Sequence, residues 1–195
     1  QYGISSLILS RYKVVSVSSF SQNGKVQIHS ELYKPIFGYK QTWGCKIYQP
    51  FSQNHRFCYL GKKPKNYVFG WKQLPDNGRI MFLTGGEKDV MTLAGLGYPA
   101  ISLNSETSDI DPKQVQELKS RFRYVIVLYD CDTTGIEQSA KLVEIHSLMQ
   151  MTLKLSGTKD SKDVSDFVKQ GGTKEEFKVL VDEVIDNKFK STLKI

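Results

Sequence analysis

The stretch Tyr124-Val125-Ile126-Val127-Leu128-Tyr129-Asp130-Cys131-Asp132 decides how this chain is read. Its six apolar or aromatic residues are too few for a buried helix and rich in β-branched side chains, which predicts a strand buried on both faces. Two carboxylates follow at once. Side chains alternate with period two in extended backbone, so Asp130 and Asp132 point the same way. Carboxylates that close repel unless a cation lies between them. Mg2+ favours such hard oxygen ligands and keeps waters that phosphates can replace. A turn with a helix N-cap ahead of Gly135 is the plainer account of the same residues, and both accounts stand at this point.

Outward from this strand, the pattern alternates between strand and helix. Ile80-Met81-Phe82-Leu83 predicts a buried strand, and Asp89 to Leu96 a helix closed by Gly97. Ala100-Ile101-Ser102-Leu103 predicts a further strand. A helix begins near Pro112, which suits a first turn, and runs through Val115 and Leu118 to Arg121. Beyond Asp132 the sequence predicts a helix from about Ile136 to Met149 and a strand over Met151-Thr152-Leu153-Lys154-Leu155. Thr173-Lys174-Glu175-Glu176 is a capping box that opens a last helix with apolar Phe177, Leu180, Val181, Val184 and Ile185. Strands separated by helices of this length imply an α/β fold, a parallel sheet flanked by helices. Ligands of such sheets bind beyond the carboxyl ends of the strands. Three acidic motifs fall there: Thr84-Gly85-Gly86-Glu87-Lys88-Asp89, Asp130-Cys131-Asp132, and Lys162-Asp163-Val164-Ser165-Asp166. Helix-start carboxylates account equally well for Glu87 and Asp89, and a solvated loop for Asp163 and Asp166.

Residues 1–78 read differently, as a small β-rich lobe. Tyr12 to Val17, Gly44 to Pro50 and Arg56 to Leu60 predict short strands, followed by the turn-rich Gly61-Lys62-Lys63-Pro64-Lys65-Asn66. This part holds eleven bases and two acids, a balance of +9, whereas residues 79–195 balance at −2. A basic lobe beside a slightly acidic one points to a polyanion handled by the first and a metal held by the second. Its aromatic residues, Tyr33, Phe37, Tyr39, Trp43, Tyr48, Phe51, Phe57 and Tyr59, either stack on bases or fill the core of a small sheet. No stretch approaches the roughly 20 apolar residues of a membrane span. Cys45, Cys58 and Cys131 are widely spaced and form no zinc pattern with His29, His55 and His146, so reduced thiols of a cytoplasmic protein are expected. A chain opening on Gln1 rather than Met is read as a fragment of a longer polypeptide.

The order of the motifs, a Gly-rich acidic turn, Asp-x-Asp and then Lys-Asp-x-x-Asp, resembles the Toprim domain of primases, topoisomerases and related nucleases over roughly residues 79–170. Lys162 to Phe167 resembles the primase branch. Lys46-Ile47-Tyr48-Gln49-Pro50-Phe51, Arg56-Phe57 and Val68-Phe69-Gly70 are similar to the N-terminal lobe of phage-type primase-helicases. The resemblance implies a Toprim domain at 79–172, a basic subdomain of the primase core at 1–78, and a C-terminal helix at 173–195 packed on the core. It implies Mg2+ or Mn2+ held by Asp89, Asp130, Asp132 and Asp163, with Glu87, Asp89, Asp130 and Asp132 in catalysis. Template or nucleotide contacts would come from Lys46, Arg56, Lys62, Lys63, Lys65 and Lys88. The family motif places Glu at the strand end, and Gly85 stands there instead. Glu87, two residues on, is the first choice to replace it, with Glu106 after the neighbouring strand as the second.

The implied activity is primer synthesis: a nucleotide 3′-hydroxyl attacks the α-phosphate of an NTP on a single-stranded DNA template. It implies work at a replication fork, in the cytoplasm or nucleoid of a bacterial or phage-infected cell, with a helicase as partner. No Gly-x-x-x-x-Gly-Lys-Ser/Thr loop is present, so helicase activity is expected outside this sequence. Rival readings are a Toprim module that binds nucleic acid without chemistry, a Toprim nuclease, and a haloacid-dehalogenase-like phosphatase. The last rests on Asp130-x-Asp132-x-Thr134 with Ser156 and Lys159 as companions.

Overall fold

A computed structural model of the chain describes residues 2–22, 24, 26–155 and 162–192. Contacts divide it into two compact units, one of residues 5–67 and one of residues 1–4 with 68–195. The division between them thus falls at Tyr67 and Val68, eleven residues before the boundary set from composition.

The smaller unit begins with a short helix, α1 (Ser6–Arg11), capped by the Ser5 side chain, which accepts from the Ile8 N–H. Strand β1 (Val14–Val17) follows, then a hairpin of β2 (Ser19–Gln22) and β3 (Val26–His29). Strands β4 (Ile36–Gln41), β5 (Gly44–Tyr48) and β6 (Phe57–Gly61) complete an antiparallel sheet in the order β1-β4-β5-β6. Alternation sends Ile47, Cys58 and Ile36 to one face, where with Phe20 they form a core. The other residues of β5 and β6 pair as Lys46 with Tyr59 and Tyr48 with Phe57, giving the second face an aromatic character. Strand β4 and the hairpin were not legible in the sequence.

The larger unit carries the α/β pattern. Strand β7 (Gly78–Thr84) leads into α2 (Glu87–Gly95), β8 (Ala100–Ser102), α3 (Pro112–Arg121), β9 (Phe122–Leu128), α4 (Thr133–His146) and β10 (Met149–Gln150). The sheet is parallel, in the order β10-β9-β7-β8. Phe69 closes its β8 edge through an antiparallel bridge to Ser102. Two short-range expectations are corrected. The helix ends at His146 because Ser147 adopts a left-handed conformation (φ 50°), so Met149 starts the next strand. That strand is two residues long rather than a run over 151–155, with the Met151 N–H donating to the Val127 carbonyl at 2.9 Å as its last tie.

One face of the sheet packs Met81, Leu83, Val125 and Val127 against Val115 and Leu118 of α3 and Leu142 of α4. On the other, Phe82 meets Phe177 at 5.7 Å between ring centroids. Phe177, Val181 and Ile185 are the buried face of α6 (Lys174–Thr192), and α5 (Val164–Lys169) precedes it. The capping box forms as read: Glu176 accepts from the Thr173 N–H at 2.8 Å, and Thr173 Oγ1 from the Glu176 N–H at 3.2 Å. Crossovers leave β7 and β9 toward opposite sides of the sheet, and the two strands are neighbours, with Thr84 beside Leu128. The crevice of a parallel sheet opens where the strand order reverses in this way.

Candidate metal centre

Each strand end delivers its acid by a local device. After β7, Gly86 is the N-cap of α2, and Glu87 and Asp89 occupy the first turn, where the helix dipole favours negative charge. After β9, Asp132 caps α4 by accepting from the Gly135 N–H at 2.9 Å. Helix α4 starts very close to Asp130: a Cβ on Gly135 would stand 2.2 Å from the Asp130 carbonyl oxygen. The third acid arrives on α5, whose N-cap Asp163 accepts from the Asp166 N–H at 2.8 Å. A backbone bond from the Cys131 N–H to the Lys162 carbonyl, 2.8 Å, ties this segment to the end of β9.

These devices bring Asp89, Asp130 and Asp163 together, with one carboxylate oxygen from each lying within 4.8 Å of the others. Asp132 is not part of that set. Its cation is Lys162, whose ammonium lies 2.8 Å from Asp130 and 3.0 Å from Asp132. In Asp-x-Asp the second Asp is thus a helix cap, and the first joins the converging acids. Lys88 pairs with Asp163 at 3.0 Å. Asp89 is 5% exposed and accepts from Ser165 Oγ at 2.6 Å, while Ser165 is within 3.0 Å of Thr92 Oγ1.

The electrostatics follow from this packing. Burial, reinforced by Asp163, pushes the Asp89 carboxyl up to about 7. Burial also raises Asp130 against the opposing Lys162 charge, with Asp163 and Asp132 adding to the rise. Asp132 moves the other way, held low by the Gly135 N–H and by Lys162. Burial pulls Lys88 down, but Asp89 and Asp163 outweigh it and keep it above its usual range. Burial and neighbouring carboxylates disfavour charge on Asp89 and Asp130, and a divalent cation at the cluster would offset that cost. Hard oxygen donors on three sides fit Mg2+ or Mn2+.

Glu87 is buried at the first turn of α2 and is not among the three converging acids. Glu106 reaches the cluster from the loop after β8, its Oε1 accepting from the Asp130 N–H at 3.2 Å. Burial and then the Asp130 charge raise its carboxyl. Sequence reasoning gave no role to Ser165, Thr92 or the Lys162 ammonium. Ser165 and Lys162 lie inside the Lys-Asp-x-x-Asp motif, the one signal that could have singled them out. Ser156 and Lys159, the companions required by the phosphatase reading, lie outside the described residues.

The basic candidates of the smaller unit separate by exposure. Arg56, Lys62 and Lys65 are exposed. Lys46 is buried, at 5% exposure, with its ammonium 4.3 Å from the centroid of the Phe57 ring. The strand alternation that turns Cys45 and Ile47 into the core places Lys46 against the aromatic residues of the opposite face. Lys63 lies 4.1 Å over Tyr59. Tyr48 and Phe57 stack at 4.9 Å, and Phe57 remains 47% exposed.

Comparison with known proteins places these features. Residues 82–168 match a family described as Toprim-like. No curated protein matches the chain in sequence. Among solved structures, the E. coli primase catalytic core aligns with a TM-score of 0.65 at 14% identity, over 98% of this chain and 75% of that one. A DnaG primase catalytic domain bound to single-stranded DNA aligns at 0.66 and 15% identity, over 93% and 71%. The primase fragment of the bacteriophage T7 primase-helicase aligns at 0.62 and 16% identity, over 92% and 71%. At these identities the likeness is one of fold.

Proposed function

We propose that this chain, a Toprim-domain protein with the fold of a DNA primase catalytic core, synthesises RNA primers on single-stranded DNA by metal-dependent nucleotidyl transfer. The observation that carries the reading is the convergence of Asp89, Asp130 and Asp163 at the strand ends of that fold.

Asp89, Asp130 and Asp163 would hold the divalent cation, Mg2+ or Mn2+. When bound, such an ion supplies Lewis-acid stabilisation of phosphate oxygens and makes an attacking hydroxyl more acidic. The chain's own residues prepare the site. Ser165 fixes the orientation of Asp89 with its 2.6 Å hydrogen bond, and Asp132 sets the start of α4 and thereby the position of Asp130. Lys88 and Lys162 hold ammonium groups at the same cluster, where an NTP triphosphate would find cationic donors. In the smaller unit, Arg56, Lys62 and Lys65 would contact template phosphates, and the exposed Phe57 and Tyr59 rings would stack on bases. Each phosphate neutralised on a single strand contributes about 0.7 to the slope of log affinity against log salt, so template binding should weaken steeply with ionic strength.

No helix among the described residues is long and apolar enough to cross a membrane. The T7 relative is part of a primase-helicase protein, which supports a helicase as partner here and a replication fork as the place of action. The test is oligoribonucleotide synthesis from NTPs on single-stranded DNA with Mg2+ or Mn2+, comparing wild type with Asp130→Ala. Product that requires metal and is lost in the variant supports the reading. DNA binding without metal-dependent product would favour the second reading, a nucleic-acid-binding Toprim module, for which the missing side chain at Gly85 is the motivating observation.

A further inference from the structure

A fourth carboxylate approaches the end of β9 beside the three acids that converge there. The fourth belongs to Glu106, on the loop after β8. That loop turns tightly, with Ser105 Oγ 3.0 Å from both Thr107 Oγ1 and Ser108 Oγ, and the Ser108 N–H donating to the Ser105 carbonyl at 3.0 Å. The turn sends Glu106 inward, to the end of the neighbouring strand β7. A Cβ built on Gly85 would stand 2.6 Å from Glu106 Oε1 and 3.4 Å from its Cδ. The same Cβ would be 3.3 Å from Asp130 Oδ1. The Glu106 carboxylate therefore fills the volume where a side chain of residue 85 would begin, and it faces the same aspartate.

Such a placement is electrostatically unfavourable for the protein alone. Glu106 is only partly buried, and its chain is long enough to turn toward water, yet it lies against the residue that already carries a crowded carboxylate. Two features hold it there: the Asp130 N–H that it accepts, and the absence of a side chain at residue 85. A negative group kept beside other negative groups is what a cation site uses to raise its affinity.

We propose that Glu106 is a positioning carboxylate of the metal centre, delivered from the β8 loop into the space that glycine at residue 85 leaves free. It orients Asp130 through the backbone N–H and adds its charge to the Asp89, Asp130 and Asp163 set. The proposal rests on reading that set as a divalent-cation site. Glycine at residue 85 and glutamate at residue 106 are then two halves of one arrangement: a carboxylate brought across from the adjacent strand needs a strand end with no side chain.

The experiment compares wild type with Glu106→Gln, Glu106→Ala and the double variant Gly85→Glu with Glu106→Ala. Mn2+ affinity is read by electron paramagnetic resonance titration, beside primer synthesis, with melting curves establishing that each protein is folded. Glu106→Gln keeps an oxygen to accept from the Asp130 N–H and loses only the charge. A loop anchor would therefore leave its Mn2+ affinity at the wild-type value, whereas a charge in the metal centre lowers it about tenfold or more, the scale seen when groups supporting metal ligands are removed. Glu106→Ala should lose at least as much, and the double variant should recover to within about threefold of wild type, because the carboxylate returns to the same volume from β7. Wild-type affinity in Glu106→Gln, or a folded double variant no better than Glu106→Ala, overturns the proposal. If the Mn2+ pattern holds but no protein makes primers, the primase reading fails and the assignment of Glu106 stands. If wild type binds no Mn2+, both fall.

Discussion

Gly135→Ala is a small change with a large expected effect. The added Cβ would stand 2.2 Å from the Asp130 carbonyl oxygen, 2.9 Å from its carbonyl carbon and 3.0 Å from its nitrogen. Real Cβ contacts essentially never fall below 3.0 Å, so the start of α4 and the end of β9 must part by about 0.8 Å. The obstruction is backbone and has no rotamer through which to yield. Overpacking of this kind costs about 1–3 kcal/mol. Parting the two segments also strains the Asp132 cap on the Gly135 N–H, worth about 1 kcal/mol. For a chain of this size, about 1–4 kcal/mol corresponds to a melting temperature lower by roughly 2–16 °C. Metal geometry is less tolerant still: ligand distances are held to about 0.2 Å, so Asp130 displaced by several times that should bind Mn2+ at least tenfold more weakly. Gly86→Ala is the internal control. At that glycine the nearest atom to an added Cβ is Asp89 Oδ2, at 3.5 Å, and φ is −150°, so its cost should stay below about 1 kcal/mol. Differential scanning calorimetry and Mn2+ titration of both variants test the reasoning. Gly135→Ala melting and binding Mn2+ like wild type would refute it.

Other perturbations of the cluster have outcomes with a definite sign. At 100 times its dissociation constant, Mg2+ should stabilise the protein by about 2.7 kcal/mol, raising the melting temperature by roughly 5–11 °C, and Asp130→Asn should abolish most of that shift. In EDTA, the buried Asp89 binds a proton in the folded state up to about pH 7, whereas an unfolded aspartate releases it near about pH 4. Its contribution to stability is thus fully present below about pH 4 and declines as pH rises to about 7. Urea denaturation of wild type and Asp89→Asn across this window isolates the effect, and a difference that grows with pH in favour of wild type would contradict it. Lys162→Met removes the ammonium shared by Asp130 and Asp132, so the metal-free protein should melt lower while binding Mg2+ more tightly. Weaker Mg2+ binding in that variant would mean that Lys162 assists the site instead of competing for it. Ser165→Ala deprives a buried carboxylate of its 2.6 Å donor and should cost about 1–3 kcal/mol, measured by chemical denaturation.

Strands β7 to β9, helices α2, α3 and α6, the capping box at Thr173 and the helix start at Pro112 were legible because each depends on residues close in sequence. The apolar run Tyr124 to Leu128 reads as a doubly buried strand whatever it packs against, and the acids that follow it stand at a strand end in any parallel sheet. Charge division was equally local, since counting Lys and Arg requires no coordinates. The smaller unit was read less completely. Strand β4 carries Gly38 between its apolar residues and ends on Lys40 and Gln41, so its alternation is blurred, and nothing in the composition marks Lys46 as buried under Phe57.

The site itself divides along the same line. By itself, the sequence determined that acidic groups follow β7 and β9 and recur at Asp163 and Asp166, and that Gly85 offers no carboxylate. Only the tertiary structure decided which acids meet: strand order sets β7 beside β9, α5 carries Asp163 to them, and Asp132 turns away to cap α4 and pair with Lys162. It also brought Glu106 against Gly85 across the β7–β8 edge, although the two are twenty-one positions apart in sequence. Periodicity and capping are properties of neighbouring residues. The meeting of Asp89, Asp130 and Asp163 is a property of sheet order, which is set by the packing of the whole core.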